Sequence, residues 1–289
     1  MGSVMPKFKI YFLKEETREY PKSDLITFIT SNPNVTQTLG NDTNQRIYTY
    51  HHSVLNFEAN FIMSNKAVIP HIQDIPAKYY DVNFYVEFDV ILSNYAVEIL
   101  LDIIEEICRK FKFYVFVIKE VMPFKRQIMM KLFESVKRAH IDNNPDIVLG
   151  YNKLDPQAFS QVYSYLQKRK RLELTLDTDK IVITNYMFLH TEKSRAAYIT
   201  IKWDGESQFI LPPAVEILLL DDGKVERYIP MSEVLDKADK FFTPIDGYGD
   251  IQLLDKKYVK KLHKILVKEK FAPLNVRLDT LSLDKILDV

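Results

Sequence analysis

The sequence predicts an α+β fold: an N-terminal mixed sheet in the order β-α-β-β-β-α-β with covering helices, then a helical bridge, then a C-terminal, mainly antiparallel sheet with two helices. Three observations lead to it. Val82, Phe84, Val86, Phe88, Val90 and Leu92 alternate with Asn83, Tyr85, Glu87 and Asp89, the period-2 pattern of a strand with one buried face. Val97, Leu100, Leu101, Ile104, Ile107, Cys108 and Phe111 then recur at helical spacing, opposite Glu98, Asp102, Glu105, Glu106, Arg109 and Lys110, with Ser93 or Asn94 placed to cap the helix. Phe113 to Ile118 follows with almost no polar residue, as in a strand covered on both faces. Together they make a β-α-β unit, for which a right-handed parallel crossover is expected.

Taken in order, Lys7 to Leu13 alternates as a first strand, and Ser23 opens a short helix that ends before Asn32-Pro33. Leu39-Gly40-Asn41-Asp42 is turn chemistry leading into two strands, Gln45 to His52 and Val54 to Met63. The N-terminal α+β region therefore spans residues 5–121. Met1 to Val4 read as residues added ahead of a native Met5. Residues 122–171 form the expected helical bridge. Pro123 suits the first turn of one helix, whose missing amide hydrogen would have no partner there, and Asp155-Pro156 caps the next.

The C-terminal α+β region, residues 172–289, is expected to start with a strand in which Leu172, Leu174 and Leu176 alternate with Glu173, Thr175 and Asp177. Further strands follow at Ile181 to His190, Ala196 to Trp203, Gln208 to Leu211, Val215 to Leu220 and Val225 to Ile229, the last two joined by the hairpin signal Asp221-Asp222-Gly223-Lys224. Ser232 and Asp255 open the two helices, the second reaching Lys270, and Leu278 to Val289 reads as a short strand or docking segment.

Composition narrows the function classes. The chain has 289 residues, a formal net charge of zero and a single cysteine. Zero net charge gives no bulk attraction to nucleic acid or to an anionic membrane. One cysteine excludes an intramolecular disulfide and a multi-cysteine metal cluster, and Cys108, on the apolar stripe of its helix, reads as a core residue. The longest apolar runs are too short for a membrane span and the N-terminus has no signal-peptide core, so a soluble cytoplasmic protein is expected. Seven glycines argue against cofactor sites built on glycine-rich loops, and the phosphate-loop, dinucleotide, zinc-protease and nucleophile-elbow motifs are all missing, so no cofactor is expected.

Four candidate sites remain. His51 and His52 face opposite sides of one strand, and even with His71 they give no evident zinc set, so no metal is expected. In Asp246-Gly247-Tyr248-Gly249-Asp250, two glycines free the backbone and Asp246 and Asp250 could act as acid and base or hold a hard cation, beside Tyr248; the plainer reading is a tight connection between a helix and a strand. The run Lys168-Arg169-Lys170-Arg171, following Tyr163 and Tyr165, could grip nucleic acid, but basic residues in a last helical turn also complement the helix dipole, and nucleic acid is the weaker expectation. Lys257, Lys260, Lys261, Lys264 and Lys268 form a stripe opposite Tyr258, Leu262, Ile265 and Leu266, after a markedly acidic stretch that includes Asp204, Glu216, Asp221 and Asp222. Such segregation is intramolecular pairing, a solvated face, or half of a partner site. The expected function is a non-enzymatic protein-binding module (an adaptor, a toxin-neutralising protein or an assembly component) whose partner is another protein. The alternative is an enzyme with a carboxylate site at Asp246 to Asp250.

Overall fold

The computed structural model describes residues 6–38, 43–70, 75–191, 194–271 and 278–289. The turn expected at Leu39 to Asp42 and His71 lie outside the described residues. The fold is α+β, and the chain divides into two units, Met1–Pro145 and Asp146–Val289. Of the two helices read as a bridge, one falls in each unit.

The first unit contains β1 (Lys7–Glu15), α1 (Lys22–Thr30), β2 (Val35–Thr38), β3 (Gln45–His52), β4 (Phe57–Ser64), β5 (Tyr79–Asp89), α2 (Asn94–Phe111), β6 (Tyr114–Val117), β7 (Glu120–Pro123) and α3 (Arg126–Asn143). The β-α-β unit is β5-α2-β6. Ser93 Oγ accepts the Ala96 N–H and caps α2, and Lys112 in the left-handed region closes it. The seven strands lie in the order β2-β3-β4-β5-β1-β6-β7.

β5 and β6 run parallel, because each is antiparallel to β1, which lies between them. Every neighbouring pair in the sheet is therefore antiparallel, not mixed as expected. Alternation fixes which side chains share a face but not which strands are neighbours, and fully buried Ile10 and Phe12 suit β1 to the central place. Pro123 closes β7 opposite Tyr114 instead of opening a helix. An edge strand tolerates its missing N–H, and α3 starts at Arg126.

The helix-covered face of this sheet carries Phe8, Ile10, Phe12, Phe84, Val86 and Phe88, with Phe133 of α3 packed edge-on against Phe8 at 5.5 Å between ring centres. On the other face Leu13, Ile69, Ile75 and Phe116 form a smaller cluster under the chain that follows β4. Buried Asp81 fastens that connection. Its Oδ2 accepts the N–H groups of Val68 (2.8 Å) and Ile69 (3.2 Å), and its Oδ1 accepts that of Asn83 (2.7 Å).

The second unit contains β8 (Asn152–Leu154), α4 (Pro156–Thr175), β9 (Ile181–Val182), β10 (Tyr186–Thr191), β11 (Ser194–Trp203), β12 (Gln208–Leu211), β13 (Ile217–Asp221), β14 (Glu226–Pro230), α5 (Met231–Ala238), β15 (Phe242–Pro244), β16 (Gln252–Leu254), α6 (Val259–Lys268), β17 (Leu278–Leu281) and β18 (Ile286–Asp288). Asp155 caps α4 through the N–H groups of Gln157 and Ala158, with Pro156 in the first turn. No strand begins at Leu172; α4 continues to Thr175. Leu172 is buried in one cluster with Tyr165, Ile210 and Ile251, whereas Leu174 is 81% exposed, so the leucine alternation is accidental.

The expected meander is also interrupted. The main sheet runs β14-β13-β11-β10-β17, with β8 on β11 and β18 on β8. β11 and β13 are parallel, because the strand between them in sequence, β12, leaves to join a second sheet, β15-β16-β12-β9. The core holds Ile201, Trp203, Phe209, Leu218, Leu220, Val234, Phe241, Leu262 and Leu266. Among the described residues no helix is long and apolar enough to cross a membrane.

Candidate functional site

Amphipathic spacing seats α6 on this core through Val259, Leu262 and Leu266, and a 3-10 turn, Lys256–Tyr258, leads into it. That leaves Lys257, Lys260, Lys261, Lys264 and Lys268 exposed along the outer side. Lys257 lies 3.9 Å from Asp255 and 4.8 Å from the Tyr258 ring centre; Lys261 stands 5.3 Å over Phe241. Lys260, Lys264 and Lys268 make no ion pair with a described residue.

Three acids of the preceding stretch, Asp204, Asp221 and Asp222, have partners other than these lysines. Asp221 pairs with Lys202 at 2.6 Å, and Asp204 accepts the N–H groups of Glu206 and Ser207. Asp222 Oδ2 lies 2.8 Å from His263 Nε2 on α6, and this hydrogen bond, then the N–H groups of Lys224 and Val225, pull its carboxyl down to about 2. Gly205 sits directly beside the histidine. At φ +81° it is in the region that favours glycine, and a Cβ there would stand 2.7 Å from His263 Cδ2. At the other end of α6, Arg227 Nη1 donates to the carbonyls of Leu266 (2.8 Å) and Val267 (2.9 Å), so the β13–β14 hairpin holds the helix at two points.

The other sequence candidates disperse. Asp246 to Asp250 connects two strands, β15 and β16, instead of a helix and a strand. Gly247 and Gly249 take positive φ, the Asp246 and Asp250 side chains are exposed, and the Tyr248 hydroxyl lies 3.2 Å from Thr175 Oγ1. The basic run Lys168 to Arg171 lies within α4, short of its last turn, because the helix outlasts the predicted end. Arg169 pairs with Glu173 at 3.0 Å, and Arg171 stands over Tyr248. His51 is exposed near Glu58, while half-buried His52 stacks on Phe57 and accepts the Leu55 N–H. Among the described residues no three His, Cys, Asp or Glu side chains converge to hold a metal.

Cys108 is buried, and burial, reinforced by Glu105, pushes its thiol well above the usual range. Native protein is therefore expected to resist a thiol reagent that labels the denatured chain rapidly; fast stoichiometric labelling under native conditions contradicts this.

Glu216 escaped sequence reasoning except as one acid among many. It lines an open cleft of about 500 Å³ with Lys153, Gln157 and Gln161, where its carboxylate accepts the Ile199 N–H at 2.9 Å and burial raises its pKa. Only tertiary pairing brings these residues together, so no local pattern announces them. No protein family, no curated protein and no solved structure matches this chain.

Proposed function

We propose that this chain is a non-enzymatic, cytoplasmic protein-binding module, and that the outer side of α6 is the face that meets an acidic protein partner. One observation supports the reading above the others: four exposed lysines of α6, with Lys257 of the turn before it, stand opposite the side seated in the core, and Lys260, Lys264 and Lys268 have no ion pair with a described residue. Long-range attraction of this kind steers association and selects partners by charge.

Changing Lys260, Lys261 and Lys264 together to Glu tests it. Capture of a partner from the source cell should be lost, and binding by the unaltered chain should weaken steeply as salt rises, since charges beyond about 8–10 Å are screened at physiological ionic strength. The melting temperature should stay nearly unchanged, because isolated surface substitutions usually shift stability by less than about 0.5 kcal/mol. Undiminished capture refutes the assignment; a large fall in melting temperature shows instead that the stripe stabilises the chain itself.

A further inference from the structure

The face of the first sheet opposite its helices carries a second, unrelated feature. The pairing of β1, β3, β4 and β5 brings Lys9, Tyr11, Gln45, Ser64 and Tyr85 to that face, and Lys66, Ala67 and Val68 of the following connection complete a pocket of about 270 Å³. Hydrogen-bond donors dominate its wall. The Tyr11 and Tyr85 rings lie 5.4 Å apart, and neither hydroxyl has a hydrogen bond to a described residue. Tyr85 is only 8% exposed, so its ring is held in place where it lines the pocket. Burial raises both phenols, Tyr85 to about 12, with Glu87 adding to the effect, so both carry their protons at neutral pH and can donate. Ser64 Oγ accepts the Lys66 N–H at 3.0 Å and keeps its own proton to give.

Charge follows the same sense. Lys9 is shared with Glu87 at 3.1 Å, while Lys66 is exposed and makes no ion pair with a described residue. Among the described residues no carboxylate lines the pocket.

We propose that this pocket binds a phosphomonoester through its tetrahedral oxyanion. Two phenols, a serine hydroxyl, a glutamine amide and two ammonium groups offer more donors than a carboxylate's two oxygens can absorb, and they suit three phosphoryl oxygens. The space exceeds a bare phosphate and leaves room for the ester's organic group against Ala67 and Val68. This site lies in the first unit, whereas α6 is in the second, so the proposal stands or falls independently of the lysine face.

Titration calorimetry on the full chain, with phenyl phosphate, inorganic phosphate and acetate at matched low ionic strength, tests it. Saturable one-to-one binding of phenyl phosphate is expected, weaker for inorganic phosphate and negligible for acetate. Lys66→Gln and Tyr85→Phe should each weaken it by about tenfold or more, as expected on losing a donor to a charged group, without moving the melting temperature of the unliganded protein. Lys66 is exposed, so its variant reads binding even if Tyr85→Phe disturbs packing. Absence of saturable binding, equal affinity for all three anions, inorganic phosphate binding as tightly as the ester, or full affinity in Lys66→Gln each overturns the proposal.

Discussion

Replacing Leu101 or Ile104 by Asp is expected to leave no soluble folded protein. Both side chains are fully buried on α2, on the stripe that also carries Val97, Leu100 and Phe111. A carboxylate there has no basic neighbour on its side of the helix, since Arg109 and Lys110 lie on the outer one. An unpaired buried charge costs several kcal/mol, against a total stability of about 5–15 kcal/mol, and the lost apolar packing adds to it. Glu105→Gln, on the exposed side of the same helix, should change stability by less than about 0.5 kcal/mol. Solubility on expression and circular-dichroism melts of the three variants provide the check, and a near-normal cooperative melt for Leu101→Asp contradicts the packing described for α2.

Asp81→Ala is the second large effect. Its carboxylate is the acceptor for three main-chain N–H groups in a buried position, and alanine leaves all three without it. A buried donor deprived of its acceptor costs about 1–3 kcal/mol; Ile69 supplies one such donor and the part-buried Val68 and Asn83 less, so a loss of roughly 2–3 kcal/mol is expected. Asp81→Asn retains one acceptor oxygen and should cost visibly less. Urea titrations followed by tyrosine fluorescence give both values. If alanine and asparagine are equally mild, water has replaced the carboxylate and Asp81 does not hold the connection after β4.

What the sequence made legible was local. The alternation from Val82 recurs in β5, which stops at Asp89 short of Leu92, the helical stripe from Val97 to Phe111 recurs as α2, and Ser93 caps where expected, because each pattern is set by residues close in sequence. The lysine stripe was legible for the same reason: its spacing is local, within α6 and the turn that leads into it. Pairing order was not. Nothing in Lys7 to Glu15 says that it enters between β5 and β6, and nothing in Gln208 to Leu211 says that it deserts the sheet containing β11 and β13. The end of α4 was misplaced because three leucines at every second position imitate a strand, and only burial separates inward Leu172 from outward Leu174. The donor pocket was invisible because Lys9, Gln45, Ser64 and Tyr85 come from separate strands, and only the register of four strands gathers them. Glu216 and its cleft were hidden by the same kind of assembly.

The pairing of β8 with β18 has a consequence for synthesis on the ribosome. The strand nearest the start of the second unit is completed by the strand at its end, residue for residue from Asn152 opposite Ile286 to Leu154 opposite Asp288. While the ribosome still holds Ile286 to Asp288, one edge of β8 stays open. Contacts so distant in sequence form late, after the chain entropy of a long loop has been overcome. A nascent chain thus carries an unpaired strand edge through most of the unit's translation, a hazard for pairing with neighbouring chains. In the first unit β1 likewise waits for β6, whose Tyr114 and Phe116 stand opposite Leu13 and Tyr11, but the whole of that sheet has been translated before Asn152 is added.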